Sequence, residues 1–167
     1  CALPISLGAI SMISLSNFRS LATELSGDGT TMPAIFIGHG NPMNAIEENE
    51  FSLRWRKLAT ELPQPKAIVC VSAHWLTNGT FVTAMEAPKT IHDFGGFPQE
   101  LFAQQYPAPG APEAAQAAID LVRSSHLRGD TEWGLDHGAW SVLIKMFPKA
   151  DIPVFQLSLD LTMPPSA

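Results

Sequence analysis

The chain has 167 residues, 46% of them hydrophobic and 16% charged, with a formal net charge of −6. That balance suits a globular domain with a core of its own and is too apolar for disorder. An acidic chain with no Lys/Arg cluster argues against a nucleic-acid partner, and no run of about 18 apolar residues is present to span a membrane. Its two cysteines, Cys1 and Cys70, lie far apart, and Cys70 sits in an apolar run, so a reduced core thiol is expected rather than a disulfide framework. Residues 2–15 are apolar but lack the basic flank of a signal peptide, which leaves the cytoplasm as the expected location.

Residues 1–31 read as an extension separate from the domain beginning at Met32, ending in a polar connector over 16–31. They are expected to pack poorly or to pair as one extra strand. From Met32 the pattern is regular. Pro33–Ile37 is an apolar run that predicts a strand ending in Gly38-His39-Gly40. Residues 46–60 carry apolar positions at helical spacing and are stopped by Pro63 and Pro65. Ala67–Val71 predicts a second strand, leading into Ser72-Ala73-His74-Trp75, and Thr80–Met85 a third. A loop rich in Pro and Gly spans 87–97, then a short helix is expected at 98–105. A stronger helix opens at Pro112 and runs to about Ser124, with proline at the favoured first position. Gly138–Phe147 predicts a further helix and Pro153–Leu159 a last strand, with no closing helix after it. Apolar strands alternating with helices predict a single α/β domain around a mostly parallel sheet. The ending reads as the N-terminal part of a longer domain.

Five histidines are present: His39, His74, His92, His126 and His137. His39 and His74 each follow a predicted strand directly. Ligand sites in open α/β sheets form at the carboxyl ends of parallel strands, so these two imidazoles are expected to converge on one crevice. Imidazole suits zinc, iron, copper and nickel. The other reading of each is a partly buried polar residue at a strand end. His92 and Asp93 lie in a loop with Gly95, Gly96 and several aromatics; it reads as a loop against a site or as an ordinary surface turn. His137 follows Asp136 at a helix start. The pair reads as an acid–base group or substrate-anion holder, or as a capping aspartate beside an incidental histidine. His126 reads as a solvated helix end. No glycine-rich nucleotide loop, zinc-protease motif or nucleophile elbow occurs, which removes support for nucleotide binding and serine hydrolysis.

Four segments occur in order: Phe36-Ile37-Gly38-His39-Gly40-Asn41-Pro42-Met43, Val71-Ser72-Ala73-His74-Trp75, Ile91-His92-Asp93-Phe94-Gly95-Gly96-Phe97-Pro98 and Gly134-Leu135-Asp136-His137-Gly138. Together they resemble the class III extradiol ring-cleaving dioxygenases, in the bacterial branch related to DOPA 4,5-dioxygenase. The resemblance covers residues 32 to about 160. It implies an α/β fold, a single non-haem Fe(II) that is sometimes replaced by Zn(II), and a catechol and O2 as the small-molecule partners. By the same resemblance His39 and His74 are metal ligands and His137 is the catalytic histidine facing substrate or oxygen. His92, Asp93 and Asp136 would lie at the substrate. The family's second half, with further metal ligands, has no counterpart in these residues, so the 167-residue chain is expected to be nearly inactive alone. Residues 7–15 resemble the family's closing strand, out of order. Two other readings stand beside the dioxygenase: a non-catalytic binding or scaffold relative of the same superfamily, and a zinc hydrolase using the same crevice. Oligomeric state is not legible.

Overall fold

The computed structural model describes residues 31–122 and 126–163. The expectations for the N-terminal extension and for a helix end at Ser124 fall outside them. Contacts divide the chain between Thr31 and Met32, and the described elements all belong to the unit that begins at Met32.

Four strands form one sheet in the order β1 (Ile68–Thr77), β4 (Val154–Asp160), β2 (Phe81–Thr83), β3 (Arg128–Asp130). β1 runs parallel to β4 and β2 parallel to β3, while β2 meets β4 antiparallel through Val82 and Leu157. The mostly parallel α/β sheet expected from the sequence is therefore present. Side chains of β4 alternate between two cores, as a period of two requires. Val154 packs in a cluster with Leu101, Tyr106, Leu135, Trp140 and Leu143, whereas Phe155 joins Val82, Ala115 and Leu127. One core lies under helix α4 (His137–Met146), the other under α3 (Pro112–Leu121), so helices cover both faces. A third cluster, Trp55 with Val142 and Met146, joins α1 (Glu50–Glu61) to α4. The short α2 (Gln99–Phe102) contributes Leu101 to the first core.

Several boundaries differ from the sequence reading, each for a local reason. The expected strand at Pro33–Ile37 is absent: residues 31–40 have no regular structure, Ile35 is 43% exposed and Phe36 fully exposed. An apolar run becomes a strand only with a ladder partner, and β1 stands at the end of the sheet with none on that side among the described residues. The expected helix at 46–60 starts later, because Asn49 caps it. The Asn49 side chain accepts from the Ser52 N–H at 3.1 Å, and the Ser52 hydroxyl accepts from the Asn49 N–H at 3.0 Å. Before that cap, Pro42–Ala45 forms a short 3₁₀ helix that the periodicity did not show. The third predicted strand, Thr80–Met85, shrinks to β2, and β3 was not anticipated because three residues are too few to carry an alternating pattern.

β1 extends past the predicted Val71 and takes in His74. Its pairing with β4 is not continuous. Val71 pairs with Leu157 and Leu76 with Leu159, so Ser72, Ala73, His74 and Trp75 lie opposite Ser158 alone. Such an irregularity frees the chain from the ladder and re-aims side chains, which is why bulges occur beside sites. β1 is also an edge with apolar side chains left outside: Val69 and Val71 are 52% and 61% exposed.

A three-histidine candidate metal centre

Three imidazoles meet where the 3₁₀ turn, the irregular stretch of β1 and the start of α4 come together. His39 Nε2 lies 2.9 Å from His74 Nε2. Ring centroids are 5.0 Å apart for His39 and His74, 5.0 Å for His39 and His137, and 4.0 Å for His74 and His137. One nitrogen from each falls within 4.8 Å of one from each of the others.

Each imidazole is held by a different element. His39 does not end a strand, contrary to the sequence expectation. It lies on a loop turned by Gly40, whose φ of 61° belongs to the left-handed region that favours glycine. The His39 carbonyl accepts from Asn44 Nδ2 at 3.1 Å, and Asn44 Oδ1 accepts from Asn49 Nδ2 at 2.7 Å, which ties the loop to the cap of α1. His74 sits in the unpaired stretch of β1. His137 is the first residue of α4 and is buried. Gly138 lets these elements approach: a Cβ there would stand 2.6 Å from His74 Cδ2 and 2.7 Å from Ser72 Oγ.

The electrostatics favour a neutral His39. Burial, then the neighbouring His137 and His74, push the His39 pKa below its ordinary value. A neutral imidazole keeps the lone pair that a cation needs. His39 Nδ1 is buried without a hydrogen-bond partner, and its Nε2 meets the nitrogen of another imidazole. Two nitrogens bonded to one ion at about 2.0–2.1 Å must lie within about 4.2 Å of each other, and the 2.9 Å between His39 and His74 meets that condition. The donor set therefore fits a divalent first-row metal.

Asp93 backs His137 from the loop. Its Oδ1 accepts from the His137 backbone N–H at 2.9 Å and lies 2.9 Å from Nδ1, an ion-pair distance at an angle unsuited to a hydrogen bond. Burial alone would raise the Asp93 carboxyl, but the backbone N–H and imidazole of His137 outweigh it and hold the pKa below its ordinary value. Asp136 is fully buried, with hydrogen bonds to both of its oxygens. His92 stands apart. Its Nε2 is 2.9 Å from the Gln104 carbonyl, and its ring lies against Phe94, Phe102 and Trp140. The Phe94 ring, 5.4 Å from that of His137, links it to the cluster. His126 is exposed, as expected of it.

Residues 32–167 match the sequence profile of the catalytic LigB subunit of aromatic ring-opening dioxygenases. The chain belongs to this family. Among relatives of this LigB chain, the 4,5-DOPA dioxygenase extradiol of Escherichia coli (strain K12) is 55% identical over 145 residues, which is 86% of this chain and 54% of that protein. The 4,5-DOPA dioxygenase extradiol of Beta vulgaris is 44% identical over 132 residues, 75% of this chain and 49% of that protein. A crystal structure of the uncharacterized protein JW3007 from Escherichia coli K12 aligns with a TM-score of 0.65 at 51% identity, covering 80% of this chain and 49% of the other. The LigB chain thus spans about half the length of the relatives it matches.

Within this LigB domain the sequence reading missed Ser72, Gln156 and Gly138, which shape the site without carrying its chemistry. Gln156 had a signal: an amide between Phe155 and Leu157, fully buried where a hydrophobe would be expected. Cys70 is no part of the cluster. Burial, then Asp136, push its thiol up to about 12, which makes it a core thiol of low reactivity. No helix among the described residues is long and apolar enough to cross a membrane.

Proposed function

We propose that this chain supplies metal-binding and acid–base side chains of an extradiol catechol dioxygenase acting on a DOPA-like substrate. The observation that carries the reading is the meeting of three imidazoles at one point in a chain of the LigB family. Both atoms of O2 enter the product as the ring opens beside the diol, so the reaction needs no external reductant. His39 and His74 would hold Fe(II), with Zn(II) as an alternative occupant of the same nitrogen donors. A bound Fe(II) supplies Lewis acidity and one-electron chemistry. His137 takes the catechol proton and returns it. Asp93, which accepts from the His137 backbone N–H at 2.9 Å and stands beside Nδ1, holds that histidine in place. Asp93 thereby acts through His137, while the half-buried rings of His92 and Phe94, 5.8 Å apart, offer aromatic surface suited to a flat ring. The domain is taken to begin at Met32.

The test is a chimera in which residues 32–163 replace the corresponding stretch of the Escherichia coli relative. It is expected to consume one O2 per catechol in the presence of Fe(II), with a new visible absorption from the ring-opened product. The isolated 167-residue chain is expected to be nearly inactive. A folded chimera that binds Fe(II) yet consumes no O2 with any catechol would refute the dioxygenase reading. Ester hydrolysis with Zn(II) and no O2 uptake would favour a hydrolase in its place, and catechol binding without turnover a non-catalytic relative.

A further inference from the structure

Beneath the three imidazoles lies a buried polar cluster that the proposed chemistry does not use. Asp136 is wholly inaccessible, and three donors surround its carboxylate. Oδ1 accepts from the Ser72 hydroxyl at 2.7 Å and from the Ala139 N–H at 3.2 Å, and Oδ2 accepts from Gln156 Nε2. The directions of these bonds are set by further partners. The His74 N–H donates to Ser72 Oγ at 3.3 Å, which turns the hydroxyl hydrogen toward Asp136. The Asp136 N–H donates to Gln156 Oε1 at 3.4 Å, which leaves Nε2 for the carboxylate, and the Gln156 N–H donates to Thr83 Oγ1 at 2.8 Å. Every bond to the Asp136 side chain is thus one that its oxygens accept.

Burying a carboxylate is costly unless paired or fully hydrogen-bonded, and a helix cap alone does not need one, since Ser, Thr or Asn cap as well. The position supplies a reason. Asp136 precedes His137 in the chain and joins through Ser72 to the His74 backbone. It also lies 3.2 Å from the missing Cβ of Gly138, which itself would touch His74. We propose that Asp136 is a positioning residue of the metal centre: held by Ser72 and Gln156, it fixes the backbones of His74 and His137 and places a fixed negative charge behind neutral donors. This rests on the reading of the three-histidine cluster as a divalent-metal site. Neutral ligands leave a dication uncompensated, and a buried carboxylate just outside the ligand set offsets that charge while orienting the ligands.

The experiment titrates the chimera described above with Co(II), reading affinity and the visible d–d spectrum, which reports ligand geometry independently of turnover. Asp136→Asn is expected to weaken binding by about 10–100-fold and to alter the spectrum. The double variant Asp136→Asn, Gln156→Glu exchanges amide and carboxylate across the same hydrogen bond. It is expected to recover most of the affinity, a rescue that a purely structural role for Asp136 would not give. Should Asp136→Asn fail to fold, Ser72→Ala keeps the charge and cuts the link to His74. It is then expected to shift the spectrum with a smaller loss of affinity. Wild-type affinity and spectrum in Asp136→Asn, or in Ser72→Ala if that is the variant measured, would overturn the inference alone. Absence of Co(II) binding by the unaltered chimera would overturn the metal reading, and the inference with it.

Discussion

Alanine at His39 or at His74 is expected to abolish metal binding and ring opening together in the chimera, while His137→Gln should separate them. The two Nε2 atoms stand 2.9 Å apart, so removing either ring removes one of the two proposed ligand nitrogens. His137 is held differently: Asp93 accepts from its backbone N–H at 2.9 Å and stands beside Nδ1, which suits it to a proton carrier rather than a ligand. Loss of such a group is expected to lower turnover by about 100-fold or more while metal affinity changes by less than about tenfold. Isothermal titration with Zn(II) and stopped-flow oxygen consumption measure the two effects on the same protein. Metal loss in His137→Gln as complete as in His39→Ala would make His137 a third ligand and remove its acid–base assignment.

Gly138→Ala is expected to damage the site although alanine is the better helix former. In an unobstructed helix the exchange would gain up to about 1 kcal/mol. Here the added methyl would meet His74 Cδ2 at 2.6 Å and Ser72 Oγ at 2.7 Å. The first is part of a ring in the cluster and the second is tied to a buried carboxylate, so neither yields without moving the site. Overpacking of this kind costs about 1–3 kcal/mol, which outweighs the helix gain. Denaturant unfolding is expected to show a net loss of stability, and Co(II) titration a loss of affinity with a shifted spectrum. A variant that gains stability and binds Co(II) like the parent would mean that α4 does not press on β1 at this glycine.

Much of this arrangement was legible in residue order, and the exceptions have physical causes. β1, β4, α3 and α4 announced themselves through uninterrupted apolar runs, a proline at a helix start and a capping aspartate. Pro33–Ile37 looked equally strand-like, because apolarity is a property of the residues whereas a strand is a property of a pair. His39 and His74 could be matched because each follows an apolar run. Only the register slip between Val71 and Leu76, invisible in one chain's pattern, puts His74 inside a strand rather than after it. Asp136 could be read from the sequence as a cap or as a substrate contact. The choice turned on Ser72 and Gln156, which lie 64 and 20 residues away and meet it only in the fold.

The three imidazoles ride on three separately anchored parts: a loop pinned to α1 by two asparagine amides, an unladdered stretch of the sheet edge, and the first turn of α4. An ion held by His39 and His74 would therefore act as a staple between the first two, which no shared backbone ladder connects. Occupancy then becomes a component of folding free energy, worth about 2.7 kcal/mol at a free metal concentration 100 times the dissociation constant. The gain should concentrate where the apo protein is held most lightly. Amide hydrogen exchange over residues 38–44 is expected to slow on adding Zn(II), while exchange in β4, already locked between two cores, stays unchanged.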